Sequence, residues 1–159
     1  MVHVPFAIGN HTHAWALDAV KLALRQDGVE AQMHFLDRDE AYYNLLTDLW
    51  AKDGFTIVEH DIVVWPGAIQ QLQDCPEPWC VFPYYSSVGW IIDGLGCTKF
   101  SRELVQGHPD VLKPPFPVCC AHTKYWCGLD RLLAHSLVSQ GIQPHVHSPA
   151  VVNLNDRWT

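Results

Sequence analysis

Charged side chains are scarce in this sequence of 159 residues, since Asp, Glu, Lys and Arg together make up 17%. Long apolar runs are missing too, and no stretch approaches the roughly 18 residues that a membrane-spanning helix needs. The first residues lack a basic segment followed by a long apolar core, so we expect no signal peptide and place the protein in the cytoplasm. This composition favours a heavily buried domain whose polar groups gather at particular places.

Basic residues are also few, with 10 Lys and Arg against 17 Asp and Glu, which gives a formal net charge of -7. This balance argues against non-specific binding to nucleic acid or to an anionic membrane. The six cysteines include no Cys-x-x-Cys pair and are expected to be reduced thiols. A structural zinc site and a role as small core residues both remain open for the cysteines and the histidine near them: Cys75, Cys80, Cys119, Cys120, His122 and Cys127.

Strand and helix patterns alternate along the first half of the chain. Apolar residues at helical spacing predict helices over residues 14–26 and 128–140, and short apolar runs predict strands over residues 2–8 and 29–36. Such alternation is typical of a mainly parallel sheet flanked by helices. Right-handed crossovers then bring the ends of the first three strands to one edge of the sheet. No internal repeat or linker divides the chain, so we expect one α/β domain.

The third of these strands carries the most informative residues. Residues 55–64 are mostly apolar, except for the triplet Glu59, His60 and Asp61. We expect this run to form a strand buried on both faces, with the acids at its carboxyl end, where ligands bind in open α/β sheets. Two buried carboxylates this close need a cation, a proton or water. A divalent ion shared with a phosphate would satisfy them; alternatively, the acids simply end the strand and face solvent.

The order of these elements resembles the nucleotide-sugar half of a GT-A glycosyltransferase, a Rossmann-like fold, and the likeness is to small, family-2-like members. Glu59-His60-Asp61 matches the Asp-x-Asp motif of that family with Glu as its first acid. The resemblance implies that Asp61 and Glu59 hold Mn²⁺ or Mg²⁺ against a nucleotide-sugar. It implies that the loop with His11 and Thr12 lies beside the nucleotide and that Asp37 contacts the base or ribose, although an ordinary cap of the following helix explains Asp37 equally well. Residues 1–75 then form the nucleotide-binding half and residues 76–159 the acceptor side.

Three further positions gain roles from the same resemblance. Asp130, expected in the first turn of the late helix, would be the catalytic base that deprotonates the acceptor hydroxyl, although acids at helix starts are common for stability alone. His147 would complete the metal shell, and the alternative is a surface histidine. Gly96, in the segment Gly94-Leu95-Gly96, would let backbone N–H groups approach the diphosphate or donor sugar, although a tight turn explains the glycines equally well.

These expectations describe a metal-dependent glycosyltransferase that moves a sugar from a nucleotide-sugar to the hydroxyl of an unknown acceptor, which is a protein, a glycan or a small molecule. One alternative is a metal-dependent hydrolase or nuclease, which the acidic balance disfavours. Another is a non-catalytic relative that binds the nucleotide-sugar without turnover. The sequence leaves open the donor, the stereochemical outcome and the oligomeric state.

Overall fold

The computed structural model describes residues 1–7, 14–26, 28–38, 40–114 and 126–154. Within these residues the strands are β1 (Val2–Ala7), β2 (Ala31–Leu36), β3 (Phe55–Val58), β4 (Ile62–Val63), β5 (Trp79–Val81), β6 (Tyr84–Ser86), β7 (Gly89–Ile91), β8 (Cys97–Phe100), β9 (His145–Val146) and β10 (Val152–Asn153). The helices are α1 (Ala14–Gln26), α2 (Ala41–Trp50), α3 (Ala68–Asp74), α4 (Arg102–Gly107) and α5 (Trp126–Val138). Among these helices, none combines the length and the apolar character needed to cross a bilayer.

A six-stranded sheet in the order β2-β1-β3-β8-β5-β9 forms the centre of the fold. Strands β1, β2 and β3 are parallel, β9 is parallel to β5, and β8 runs antiparallel between β3 and β5. The carboxyl ends of β1, β2, β3, β5 and β9 therefore lie at one edge of the sheet. This arrangement confirms the predicted mixed, mainly parallel α/β fold.

Two apolar clusters cover the two faces of the sheet. On the first face, Tyr42 and Leu46 of α2 and Leu129 and Leu132 of α5 pack against Ile57. We call this the α2–α5 face. On the second face, buried residues of α1 and α3 pack against the other sides of the same strands: Ala23, Leu24, Ile69, Leu72, Val58 and Cys80. We call this the α1–α3 face.

The long apolar run at residues 55–64 is two strands and not one. Strand β3 ends at Val58, residues 59–61 form a turn, and β4 leaves the central sheet to pair antiparallel with β10. The turn is closed by a hydrogen bond from the Ile62 N–H to the Glu59 carbonyl. The three polar residues therefore follow the carboxyl end of β3, as predicted, but the apolar residues after them belong to a separate two-stranded sheet.

Candidate active site

Four carboxylates lie around the carboxyl edge of the sheet. Glu59 and Asp61 come from the turn after β3, Asp93 from the segment between β7 and β8, and Asp130 from α5. They are close enough to interact electrostatically, since Asp130 and Asp61 raise the pKa of Glu59, and Asp93 and Asp61 raise that of Asp130. We call this group the acidic cluster.

Glu59 is the most buried member of the acidic cluster, with 7% of its surface exposed. Its N–H donates to the Gly96 carbonyl at 2.8 Å, which fixes the turn against the segment before β8. Its Oε1 accepts a hydrogen bond of 2.8 Å from the buried Tyr42 hydroxyl. Burial, followed by the charges of Asp130 and Asp61, raises the pKa of Glu59 well above its usual value, and the Tyr42 hydrogen bond partly opposes this rise.

Asp130 is held by hydrogen bonds on both carboxylate oxygens. Oδ1 accepts from the Leu95 N–H at 3.0 Å, and Oδ2 accepts from the Tyr84 hydroxyl at 3.3 Å. Burial is the main reason that the pKa of Asp130 rises to about 6, with contributions from Asp93 and Asp61, while the two hydrogen bonds lower it. Helix α5 begins at Trp126, so Asp130 lies in the second helical turn and not in the first, where the sequence placed it.

The glycines of the predicted binding segment create space for Tyr84. A Cβ at Gly96 would lie 2.7 Å from Cε1 of Tyr84, and one at Gly94 would lie 2.4 Å from its hydroxyl. Both glycines are buried. Only a residue without a side chain therefore lets Tyr84 cross this segment and reach Asp130. This packing accounts for both glycines, and the contact of Gly96 with a nucleotide stays a prediction.

The other predicted site residues lie at different places. Asp37 follows β2 at the same edge of the sheet, where it is exposed and forms an ion pair with Arg38 at 3.8 Å. His147 lies on the α1–α3 face, where its ring packs 5.0 Å from that of Phe82. Glu59 instead contacts Tyr42 of the α2–α5 face, and the role of His147 as a ligand of the same ion stays a prediction. His11 and Thr12 lie outside the described residues.

Sequence reasoning did not predict roles for Tyr42, Tyr84 or Asp93. A signal existed for Tyr42, because it shares helical spacing with Leu45 and Leu49, and a tyrosine on such an apolar face needs a partner for its hydroxyl once it is buried. For Tyr84 the sequence holds no signal that distinguishes it from Tyr85 beside it. The structure buries it, with 4% exposed, and leaves Tyr85 and Trp90 exposed at 60% and 62%.

The acidic cluster fits a hard divalent cation of the Mg²⁺ or Mn²⁺ kind. The neighbouring charges that raise the pKa of Glu59 are both carboxylates, and a dication would compensate them. Among the described residues, no three of these carboxylates bring oxygen atoms within 4.8 Å of one another. Mg²⁺ does not require three carboxylates, because it is commonly held by one or two of them together with water and substrate phosphates.

Comparison with known proteins supports the fold. At the level of sequence, no protein-family model and no curated protein matches the chain. Among solved structures, a glycosyltransferase involved in glycosylation of the major capsid of PBCV-1 has a TM-score of 0.56 and 10% identity, with 96% of this chain and 92% of that chain covered. A putative glucose-1-phosphate thymidylyltransferase from Bacillus anthracis, in complex with a sucrose, has a TM-score of 0.50 and 9% identity, with 96% and 71% covered. The fold is thus GT-A-like, as the sequence predicted.

Proposed function

We propose that this protein is a divalent-cation-dependent glycosyltransferase, similar to small family-2 enzymes, that transfers a sugar from a nucleotide-sugar to an acceptor hydroxyl. The observation that carries this proposal is the acidic cluster at the carboxyl edge of a GT-A-like sheet. In open α/β sheets this edge is where ligands bind. Structural neighbours that are a glycosyltransferase and a thymidylyltransferase support nucleotide-sugar chemistry on this fold.

Asp61 and Glu59 are the proposed ligands of the cation, Mn²⁺ or Mg²⁺. When bound, the ion would act as a Lewis acid that neutralises charge on the departing nucleoside diphosphate. Glu59 is fixed by Tyr42 and by the Gly96 carbonyl, whereas Asp61 is half-buried and nearer solvent. We leave His147 out of this proposed ligand set, because its ring packs against Phe82 and its metal-ligating neighbours are Cys75 and His145.

Asp130 is the proposed base that takes the proton from the acceptor hydroxyl. With a pKa of about 6, it is mostly ionised near neutral pH and remains basic enough to accept a proton. Its hydrogen bonds to Leu95 and Tyr84 hold the carboxylate in one orientation. The exposed rings of Tyr85 and Trp90, which lie edge to face 5.7 Å apart, offer an apolar surface for an acceptor sugar.

A thermal-shift screen of nucleoside diphosphates and their sugars, with and without Mn²⁺, tests the proposal. A ligand that binds only the native state raises the melting temperature, so we expect Mn²⁺-dependent stabilisation by one nucleotide. Asp61→Asn should abolish this stabilisation, since it removes a ligand of the ion. Asp130→Asn should keep the stabilisation and lose about 100-fold or more in turnover. Asp48→Asn, at an exposed position on α2, should behave like the unmodified chain.

Two outcomes would contradict the proposal. Normal Mn²⁺-dependent nucleotide binding by Asp61→Asn would show that the ion lies elsewhere. Binding without turnover, after a broad screen of acceptors, would indicate a non-catalytic relative. Parallel assays with DNA and Mn²⁺, and with a nucleoside triphosphate and a sugar 1-phosphate, would reveal a nuclease or a nucleotidyltransferase.

A further inference from the structure

A second group of side chains that can ligate a metal ion lies on the α1–α3 face, apart from the acidic cluster. Strands β5 and β9 pair in parallel, with Cys80 opposite His145, and the His147 N–H continues the pairing by donating to the Val81 carbonyl at 2.8 Å. Cys75 follows α3 directly. Residues from two distant parts of the sequence are therefore brought together at the edge of the sheet.

The distances within this group are those of a cation site. Ligand atoms of Cys75, His145 and His147 all lie within 4.8 Å of one another. The Cys80 Sγ lies 2.6 Å from the Cys75 Sγ, so a fourth donor atom adjoins one of the three. The two imidazole rings meet edge to face, with their centroids 4.8 Å apart. Two thiols and two imidazoles form the ligand set that zinc prefers in structural sites.

An orphaned polar atom provides independent support. Nε2 of His147 is buried and has no hydrogen-bond partner among the described residues, and only 8% of the residue is exposed. A buried polar nitrogen without a partner costs about 1–3 kcal/mol. A cation bound by this nitrogen would remove that cost, and the adjacent thiols and imidazole supply its remaining ligands.

We propose that Cys75, Cys80, His145 and His147 bind one Zn²⁺ ion in a closed, four-coordinate structural site. Cys75 and Cys80 have sulfur atoms close enough for a small side-chain rotation to place both on one ion. Two thiolates balance the charge of Zn²⁺. Four protein ligands leave no coordination position for a substrate, which is typical of structural zinc and not of catalytic zinc. The site is independent of the proposed transferase chemistry, since it shares no residue with the acidic cluster.

The zinc would secure a weakly held part of the sheet. Strand β9 has only two residues, both exposed, and it lies at the edge of the sheet. The chain continues from β9 to β10, which pairs with β4, and the Leu154 N–H donates to the Asp61 carbonyl at 3.0 Å. Fixing His145 and His147 to Cys75 and Cys80 would therefore anchor the segment that also contacts the turn of the acidic cluster.

Titration with Co²⁺, a spectroscopic substitute for Zn²⁺, tests this site in the full chain, purified under reducing conditions and stripped of metal. We expect one Co²⁺ per chain, with the intense visible bands of tetrahedral Co²⁺ and a thiolate-to-cobalt charge-transfer band, both lost when one equivalent of Zn²⁺ is added. Zn²⁺ should also raise the melting temperature. Absence of these bands in the unmodified chain would overturn the proposal without any variant.

Substitutions then identify the ligands. Cys75→Ser and His147→Asn should each weaken Zn²⁺ binding by about 100-fold or more, since even indirect changes around a metal cost 10–100-fold. Cys97→Ala, at a buried free cysteine of the same apolar cluster, and His135→Asn, at an exposed histidine of α5, are the matched controls and should bind like the unmodified chain. Unchanged affinity in Cys75→Ser would overturn the assignment, as would a Cys75–Cys80 disulfide that persists under reducing conditions.

Discussion

At the scale of single residues, the hydrogen bond from Tyr42 to Glu59 links the core to the acidic cluster. Tyr42 is fully buried, and its hydroxyl lies 2.8 Å from Oε1 of Glu59. A donor to the ionised carboxylate favours the charged form, which is the form that a cation binds. Tyr42 is therefore a positioning residue, which acts on the proposed ion site through Glu59.

Replacement of Tyr42 by Phe should weaken Mn²⁺-dependent nucleotide binding and lower the free energy of unfolding by about 1–2 kcal/mol, because a buried carboxylate loses its donor. Tyr43→Phe is a matched control, since Tyr43 donates to the Leu112 carbonyl at 2.7 Å, away from the acids. It should lower stability by about 1 kcal/mol and leave the Mn²⁺ dependence unchanged. Urea unfolding and a Mn²⁺ titration of nucleotide binding measure the two effects. Equal Mn²⁺ affinity in both variants would contradict the role given to Tyr42.

The individual residues show why part of the site was visible in the sequence. Glu59 and Asp61 interrupt an apolar run, so their position after a strand could be read from local pattern alone. The pairing of Cys80 with His145 could not be predicted in this way, because it depends on β9, a two-residue strand without any periodicity of its own. The sequence predicts His147 as a ligand of the ion at the acidic cluster, and the three-dimensional structure adds that its ring nitrogens lie near Cys75 and His145.

At the scale of secondary structure, Gly54 joins the start of β3 to the start of α4. A Cβ at this position would lie 2.5 Å from the Arg102 nitrogen and 2.9 Å from the Phe100 oxygen, which are backbone atoms that cannot rotate away. The adjacent Asp53 receives two hydrogen bonds from the Arg102 guanidinium, at 2.7 and 2.5 Å. The close approach at Gly54 therefore fixes how α4 is placed at the end of the sheet.

Gly54→Ala should therefore lower the free energy of unfolding by about 2–3 kcal/mol, the cost of a steric clash that the backbone must absorb. Gly107→Ala is the control, since Gly107 is also exposed and has nothing within 4 Å of an added Cβ. That change should be neutral or slightly stabilising, because alanine favours a helix more than glycine does. Chemical denaturation of the two variants provides the comparison. A loss below about 0.5 kcal/mol in Gly54→Ala, within the range of ordinary surface changes, would show that α4 moves freely.

The elements differ in how well local sequence predicts them. Helix α1 begins and ends where its apolar spacing indicated, at Ala14 and Gln26. Strand β8 has no clear signal of its own in the sequence. Its four residues, Cys97–Phe100, are too few for a clear alternation, and they become a strand because β3 and β5 lie on both sides of them. Tertiary pairing, and not local propensity, decides such a strand.

At the scale of the whole molecule, the sheet carries two groups of ionisable residues whose protonation affects stability in opposite directions. The acidic cluster occupies the carboxyl edge, whereas His3 and His34 adjoin each other on β1 and β2, with Nδ1 of His3 3.0 Å from Nε2 of His34. One ring must donate and the other accept, so at least the accepting imidazole is neutral, and the contact cannot form between two protonated rings. Burial, then the charges of His34, the N-terminus and Lys52, lower the pKa of His3 to about 4. Burial and Lys52 lower the pKa of His34 as well.

The lowered pKa of His3 and the raised pKa of Asp130 change stability with pH in opposite directions. The unfolded chain protonates His3 near pH 6.5 and the native chain only near pH 4, so this group removes stability as the pH falls through that window. Asp130 behaves in the reverse sense, because its native pKa of about 6 exceeds the usual 3.8. The native state then binds a proton that the unfolded state has released, and stability falls as the pH rises from about 4 to about 6. The raised pKa of Glu59 acts in the same direction as that of Asp130.

The acidic cluster contributes equally to the pH dependence of stability in His3→Gln and in the unmodified protein. A comparison of the two proteins therefore isolates the contribution of His3. When the pH falls from about 7 to about 5, the free energy of unfolding should decrease less in His3→Gln than in the unmodified chain. The difference should be on the order of 1 kcal/mol, after allowance for the partial exposure of His3. His135→Gln, at an exposed position of α5, should follow the unmodified chain. Urea unfolding of the three proteins at both pH values gives the result. Identical pH dependence in all three would show that the His3–His34 contact does not resist protonation.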